Sequence, residues 1–153
     1  MSEFNNLKVA LDQLGKDYIV ELTNQLIAAD KKASGNLIRS LNYEVIELMN
    51  NLLIKVSAAS YLGVVDKGRR PGKQPPTGPI KKWIDIRGIK PGKKQTKEQL
   101  AFVIARSIGR KGIKPTNVIK KSINNILKMK KELLGKAAAK DIAAQINKIV
   151  TTI

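Results

Sequence analysis

The chain divides at Arg69 into an almost neutral half and a strongly basic one. Residues 1–67 hold 7 Lys or Arg against 8 Asp or Glu, and residues 68–153 hold 22 against 4. The net charges are −1 and +18, which together give the chain's +17. Cations at this density repel one another unless something negative lies nearby, so this division constrains what the second half can become. Nucleic acid is the usual partner of such a half, acidic protein surfaces are the second, and dispersed solubilising charge is the third.

At 153 residues the chain has the size of one ordinary domain. Apolar residues make up 42%, enough for a core without disulfides or metal, and aromatics only 4%. That core must be built from Ile, Leu, Val and Ala. Cysteine and histidine are both absent, which excludes thiolate sites, zinc hydrolases, Ser-His triads and Cys-His pairs. The start MSEFNNLKVALDQ carries an early acid and no long apolar run, so it reads as neither a signal nor a transit peptide. No stretch reaches the roughly 18 apolar residues of a membrane span, and a soluble protein is expected.

Periodicity predicts a long amphipathic helix over 5–32. Its stripe is Leu7, Leu11, Leu14, Tyr18, Leu22 and Leu26, with Ser34-Gly35 as the stop. The stripe serves either the chain's own core or a neighbouring subunit. Gly15 inside it implies a bend or a close contact. A short helical stub is expected over Asn36–Leu41. Two strand-like runs follow, Tyr43–Met49 and Leu52–Ser57, joined by an Asn50-Asn51 turn into a hairpin over about 43–57. Ala58–Lys67 reads as a short helix stopped by Gly68. Thr77 can cap a helix over 78–87, with Ile80, Trp83, Ile84 and Arg87 on one side and Trp83 as a core anchor rather than a base-stacking ring. Thr96 and Gln99 match a capping box, opening a helix over 97–110 that points Leu100, Val103, Ile104, Ser107 and Ile108 inward. A last helical region runs from about 117 to 150, with a break near Gly135.

Between these elements lie basic turns. Gly68-Arg69-Arg70-Pro71-Gly72-Lys73 is not a P-loop, because Lys73 is followed by Gln74 and no helix begins there. It can still hold phosphate through backbone N–H groups and Arg forks, or serve as a solvated surface. Ile89–Gln95 is a second basic Gly/Pro loop, and Ile113-Lys114-Pro115 repeats Ile89-Lys90-Pro91. In the C-terminal helices lysine outnumbers arginine, which suits phosphate backbones rather than base reading. The acids Asp66, Asp85, Glu98, Glu132 and Asp141 are scattered. They read as caps and local ion pairs, and no constellation supports an enzyme, a cofactor or a metal.

The order of motifs resembles the neck and tail completion proteins of tailed bacteriophages. The residues that carry it are Ser34-Gly35-Asn36-Leu37-Ile38-Arg39-Ser40-Leu41 before the hairpin, Tyr61–Gly68, Gly68–Pro76, Ile80–Ile84 with its tryptophan, and Ala101–Asn117. It covers roughly 34–125. The resemblance implies a non-enzymatic virion component that assembles as a ring between the portal or adaptor complex and the tail, around the channel through which DNA leaves. It brings no catalytic residues. Many members of this family are closer to neutral than this chain.

The expectation is therefore a helix-dominated α+β single domain over 1–153. It has an N-terminal helix (1–33), an α+β core with basic Pro/Gly loops (34–115) and a basic helical region (116–153). The expected function is a ring-forming homo-oligomer at the head-tail junction of a virion, found in host cytoplasm during assembly. Its partners would be portal, adaptor and tail proteins and packaged DNA, with no membrane. The alternative is a sequence-independent DNA- or RNA-binding protein. Arg69, Arg70, Lys73, Lys81, Lys82, Lys93 and Lys94 are the residues expected to face the partner or nucleic acid.

Overall fold

The computed structural model describes residues 4–31, 35–48 and 51–151. The fold is α+β and dominated by helices. In order it comprises α1 (Asn5–Ala28), α2 (Asn36–Arg39), β1 (Asn42–Leu48), β2 (Asn51–Ser57), α3 (Leu62–Lys67), α4 (Thr77–Arg87), α5 (Lys97–Lys111) and α6 (Val118–Thr151).

Two long antiparallel helices form the frame. The α1 stripe is buried at Leu14, Leu22 and Leu26. Opposite it, α6 buries Val118, Ser122, Ile126, Ala137 and Asp141, residues spaced by four or by eleven, about one or three turns, so that they return to one face. Polar pairs fix the register: Asp141 meets Asn6 and Leu7, Lys130 meets Asp17, and Asn125 meets Glu21. Leu22, Leu26, Leu37 and Val118 make the main core, with Tyr18, Leu62, Val65 and Ile119 packed around it.

The helix α1 ends earlier than the Ser34-Gly35 stop expected from sequence, and Ser34 lies outside the described residues. Asp30 adopts φ 54°, the Lys31 N–H donates to Leu26 O at 2.9 Å, and the Asp30 N–H donates to Ile27 O at 2.9 Å. This is the left-handed helix stop usually built on glycine, here supplied by an aspartate. Gly35, at φ 76°, instead begins α2.

The hairpin is antiparallel, with Tyr43 opposite Val56, Val45 opposite Ile54 and Leu48 opposite Asn51. Asn51 is thus a strand residue. Met49 and Asn50, the latter one half of the expected Asn-Asn turn, lie outside the described residues. Gly15 explains how the hairpin reaches α1. A Cβ there would lie 2.2 Å from the Tyr43 ring, so only glycine lets the ring rest on the helix. The Tyr43 hydroxyl then donates to Asp12 Oδ1 at 2.9 Å.

Helices α4 and α5 form a second small core of Ile80, Ile84, Ala101 and Ala105. The Thr96–Gln99 capping box is present. Three expectations for this region need correction. Pro76 holds the N-cap position of α4 with no side-chain cap, and Thr77 is already helical. Trp83 is 39% exposed rather than a core anchor, and Val103 is 53% exposed; Ser107 is exposed as well. The buried stripe of α5 runs instead through Ala101 and Ala105, small residues that bring α4 close and leave no room for an indole. Finally, α6 continues unbroken through Gly135. Its packing on α1 before and after that position outweighs a glycine penalty of about 1 kcal/mol.

Candidate interface at the basic loops

Two chain segments about 40 residues apart cross and lock together. Helix α3 ends at Gly68 (φ 71°, ψ −163°), and α5 ends at Gly112 (φ 72°, ψ −163°). These are nearly identical conformations in a region essentially reserved for glycine. After each glycine the chain pairs with the other segment. The Arg69 N–H donates to Ile113 O at 2.9 Å and the Ile113 N–H donates to Arg69 O at 2.7 Å. A further bond runs from the Gly72 N–H to Gly109 O at 2.8 Å. The approach is closer than a side chain would allow. A Cβ on Gly68 would sit 2.2 Å from Ile113 O, and one on Gly112 would sit 2.1 Å from Arg69 O.

The clasp continues backward into the start of α6. The carbonyl of Asp66 accepts from the N–H groups of Thr116 and Asn117, both at 3.0 Å. Its carboxylate Oδ1 accepts from the Ile119 N–H at 2.9 Å. The Thr116 hydroxyl donates to Val65 O at 2.7 Å. Asp66 is therefore the helix cap that its scattered position suggested, satisfying orphan donors where the helix dipole favours a carboxylate.

The expected site residues separate into groups. Arg69 is half-buried, and its guanidinium folds back to donate to Lys73 O at 2.6 Å. It ties the loop instead of reaching outward. Arg70 and Lys73 are exposed on the clasp. Lys81 lies 3.8 Å from Glu98 on the α4–α5 pair, so part of its charge is offset. Lys82 on α4 and Lys93 and Lys94 in the α4–α5 loop are exposed. No hydrogen bond among the described residues ties that loop to the clasp. The structure does add Arg110, Lys111 and Lys114 beside Arg70 and Lys73, carried by the segment that pairs with Arg69. The recurrence of Gly-x-basic-Pro at 68–71, 88–91 and 112–115 pointed in sequence to Lys114 but not to Arg110 or Lys111. It marks three helix exits, of which the first and third share one glycine conformation and meet, while Gly88 at the second is left-handed helical.

Carboxylates are mostly engaged elsewhere. Asp12, Asp17, Asp30, Glu44, Glu47, Asp85 and Glu98 each pair with a Lys or Arg. Arg87 joins α4 to the end of α1 through Asp30 at 2.7 Å, and its guanidinium lies 5.9 Å from the Trp83 ring centre. The Arg87 hydrogen bond and charge hold the Asp30 carboxyl below the usual range. Among the described residues no carboxylate lies within ion-pair distance of Arg70, Lys73, Arg110, Lys111 or Lys114.

A second surface feature is apolar. An open groove of about 590 Å³ runs between α1, β2, α3 and α6, lined by Leu14, Tyr18, Ile54, Leu62, Ile123 and Leu127 among others. Within the described residues no group of three His, Cys, Asp or Glu side chains could hold a metal ion. No helix there is long and apolar enough to cross a membrane. Comparison of the chain with protein-family models, with curated proteins and with solved structures finds no match.

Proposed function

We propose that this chain is a structural virion subunit that forms a homo-oligomeric ring at the head-tail junction of a tailed bacteriophage, between portal or adaptor and tail. The observation that supports it best is the amount of surface left uncovered. The chain exposes 10973 Å², whereas a compact monomer of 16.8 kDa exposes about 7,600 Å². The excess of about 3,400 Å² falls in the range buried in obligate assemblies.

Large apolar side chains are part of this uncovered surface. Ile54, Leu62 and Leu127 line the open groove, and Leu48, Leu53 and Val56 are exposed on a hairpin whose outer edges pair with nothing else in the described sheet. Uncovered edges and apolar patches of this kind invite a neighbouring chain. In the ring reading the neighbour is a second copy, its helices covering the groove of the first. The role is architectural, and no residue is assigned to catalysis.

The reading is tested by depleting the protein during particle assembly. Filled heads and finished tails that accumulate separately are the expected result. Normal joining of heads to tails without this protein would reject it.

A further inference from the structure

We infer that the clasp is a binding surface for the phosphate backbone of a nucleic-acid duplex, carried by Arg70, Lys73, Arg110, Lys111 and Lys114. The inference stands beside the ring reading and does not depend on it. Three observations carry it.

The first is convergence. Two basic turns distant in sequence are held together by the paired Arg69 and Ile113 backbones and by the bond from Gly72 to Gly109. Their cations share one rigid support, so little order is lost when a ligand binds. The second is lack of compensation. The five side chains belong to exposed residues, and among the described residues none has a carboxylate partner. Repulsion between them is relieved only by an outside anion.

The third observation separates nucleic acid from an acidic protein. Protein interfaces keep an apolar centre inside their polar rim. No large apolar residue is exposed between Val64 and Trp83, nor between Val103 and Ile123. The clasp thus offers cations, glycine, proline and small polar groups without an apolar centre, the make-up of a phosphate-backbone contact. No aromatic side chain occurs in 66–74 or 109–117, so the surface lacks a stacking platform for unpaired bases, and a duplex is the fitting form. Binding is expected to ignore sequence.

The test measures binding of a mixed-sequence 20-base-pair duplex by fluorescence anisotropy from 50 to 200 mM salt, with DNA and RNA duplexes as parallel arms. If all five cations contact phosphates, affinity falls by about 10²–10³-fold over that range. Arg70→Gln, Arg110→Gln and Lys114→Gln combined are expected to reduce the slope of log affinity against log salt by about 2–3. Lys128→Gln, Lys131→Gln and Lys136→Gln on α6 remove the same charge and are expected to change it by less than about 1. Unchanged circular dichroism and melting temperature show that both variants fold.

Equal losses from the two triples would overturn the inference in favour of dispersed charge. So would no duplex binding at 50 mM salt, or competition by polyglutamate as effective as by duplex, which would assign the clasp to an acidic protein. Oligomeric state is recorded on the same samples by mass photometry. Loss of duplex binding from an intact ring therefore bears on the clasp alone.

Discussion

Asp141, on the far part of α6, grips the first turn of α1 at Leu7. Its Oδ2 accepts from the Leu7 N–H at 2.7 Å, while Oδ1 accepts from the Asn6 N–H at 3.1 Å and the Asn6 side-chain amide at 2.7 Å. A carboxylate from one helix thus caps the start of its partner, and the residue is only 3% exposed. Asp66 does the same for α6 from α3. Each long helix begins on an aspartate supplied by another element, which fixes the axial register of the frame.

Burial pushes the Asp141 carboxyl up, but the Asn6 side chain and the Leu7 and Asn6 N–H groups outweigh it and hold the group below its ordinary 3.8. The contribution of the ionised form is therefore complete above pH 3.8 and is lost as pH falls through the lower folded value. Asp141→Asn is expected to lower the melting temperature at pH 7 by about 2–4 °C. It should also flatten the part of the acid dependence below pH 4 that belongs to this residue, leaving that of Asp12, Asp17, Glu21 and Asp30. Thermal melts of both proteins from pH 2.5 to 7 check this.

Gly68 and Gly112 should be the least replaceable glycines in the described chain. Alanine at either adds left-handed strain of about 1–3 kcal/mol to a backbone clash near 2 Å, so each substitution is expected to destabilise by at least about 2 kcal/mol. Gly88 has a similar φ of 63° with open space around it, and alanine there should cost only about 1 kcal/mol. Because the first two close the same clasp, the double variant should cost less than the sum of its parts. Urea unfolding of the four variants gives these values.

Gly135→Ala is expected to stabilise the protein by about 0.5–1 kcal/mol. No neighbour lies within 4 Å of the added methyl, and the position is interior to α6. A melting temperature raised by about 1–4 °C is the expected reading. A fall would indicate that the helix needs to bend at Gly135.

What sequence could and could not reveal follows from how local each signal is. The α1 stripe and the Thr96–Gln99 capping box depend on residues within one or two turns, and both are present. Trp83 misleads because α4 carries two adjacent apolar rows, Ile80 with Ile84 and Trp83 with Ile86. Only the alanines of α5, on another helix, decide which row is covered. Gly135 looks like a break when α6 is read alone, since its continuity rests on α1 more than 100 residues away. The loop at 68–73 was visible as a basic turn, but its crossing with 109–115 was not. Arg110, Lys111 and Lys114 therefore joined the candidate surface only in three dimensions, while Arg69, the first expected contact, folds back onto the Lys73 carbonyl of its own loop.

The central claim, that this chain completes its fold by covering its apolar groove with a second copy in a head-tail ring, is met most directly by high-resolution imaging of the neck of purified particles. The expected image is a closed ring of this chain between head and tail, with Ile54, Leu62 and Leu127 of each subunit buried by the next. Particles that lack the chain, or that carry it with this groove facing solvent, would contradict it.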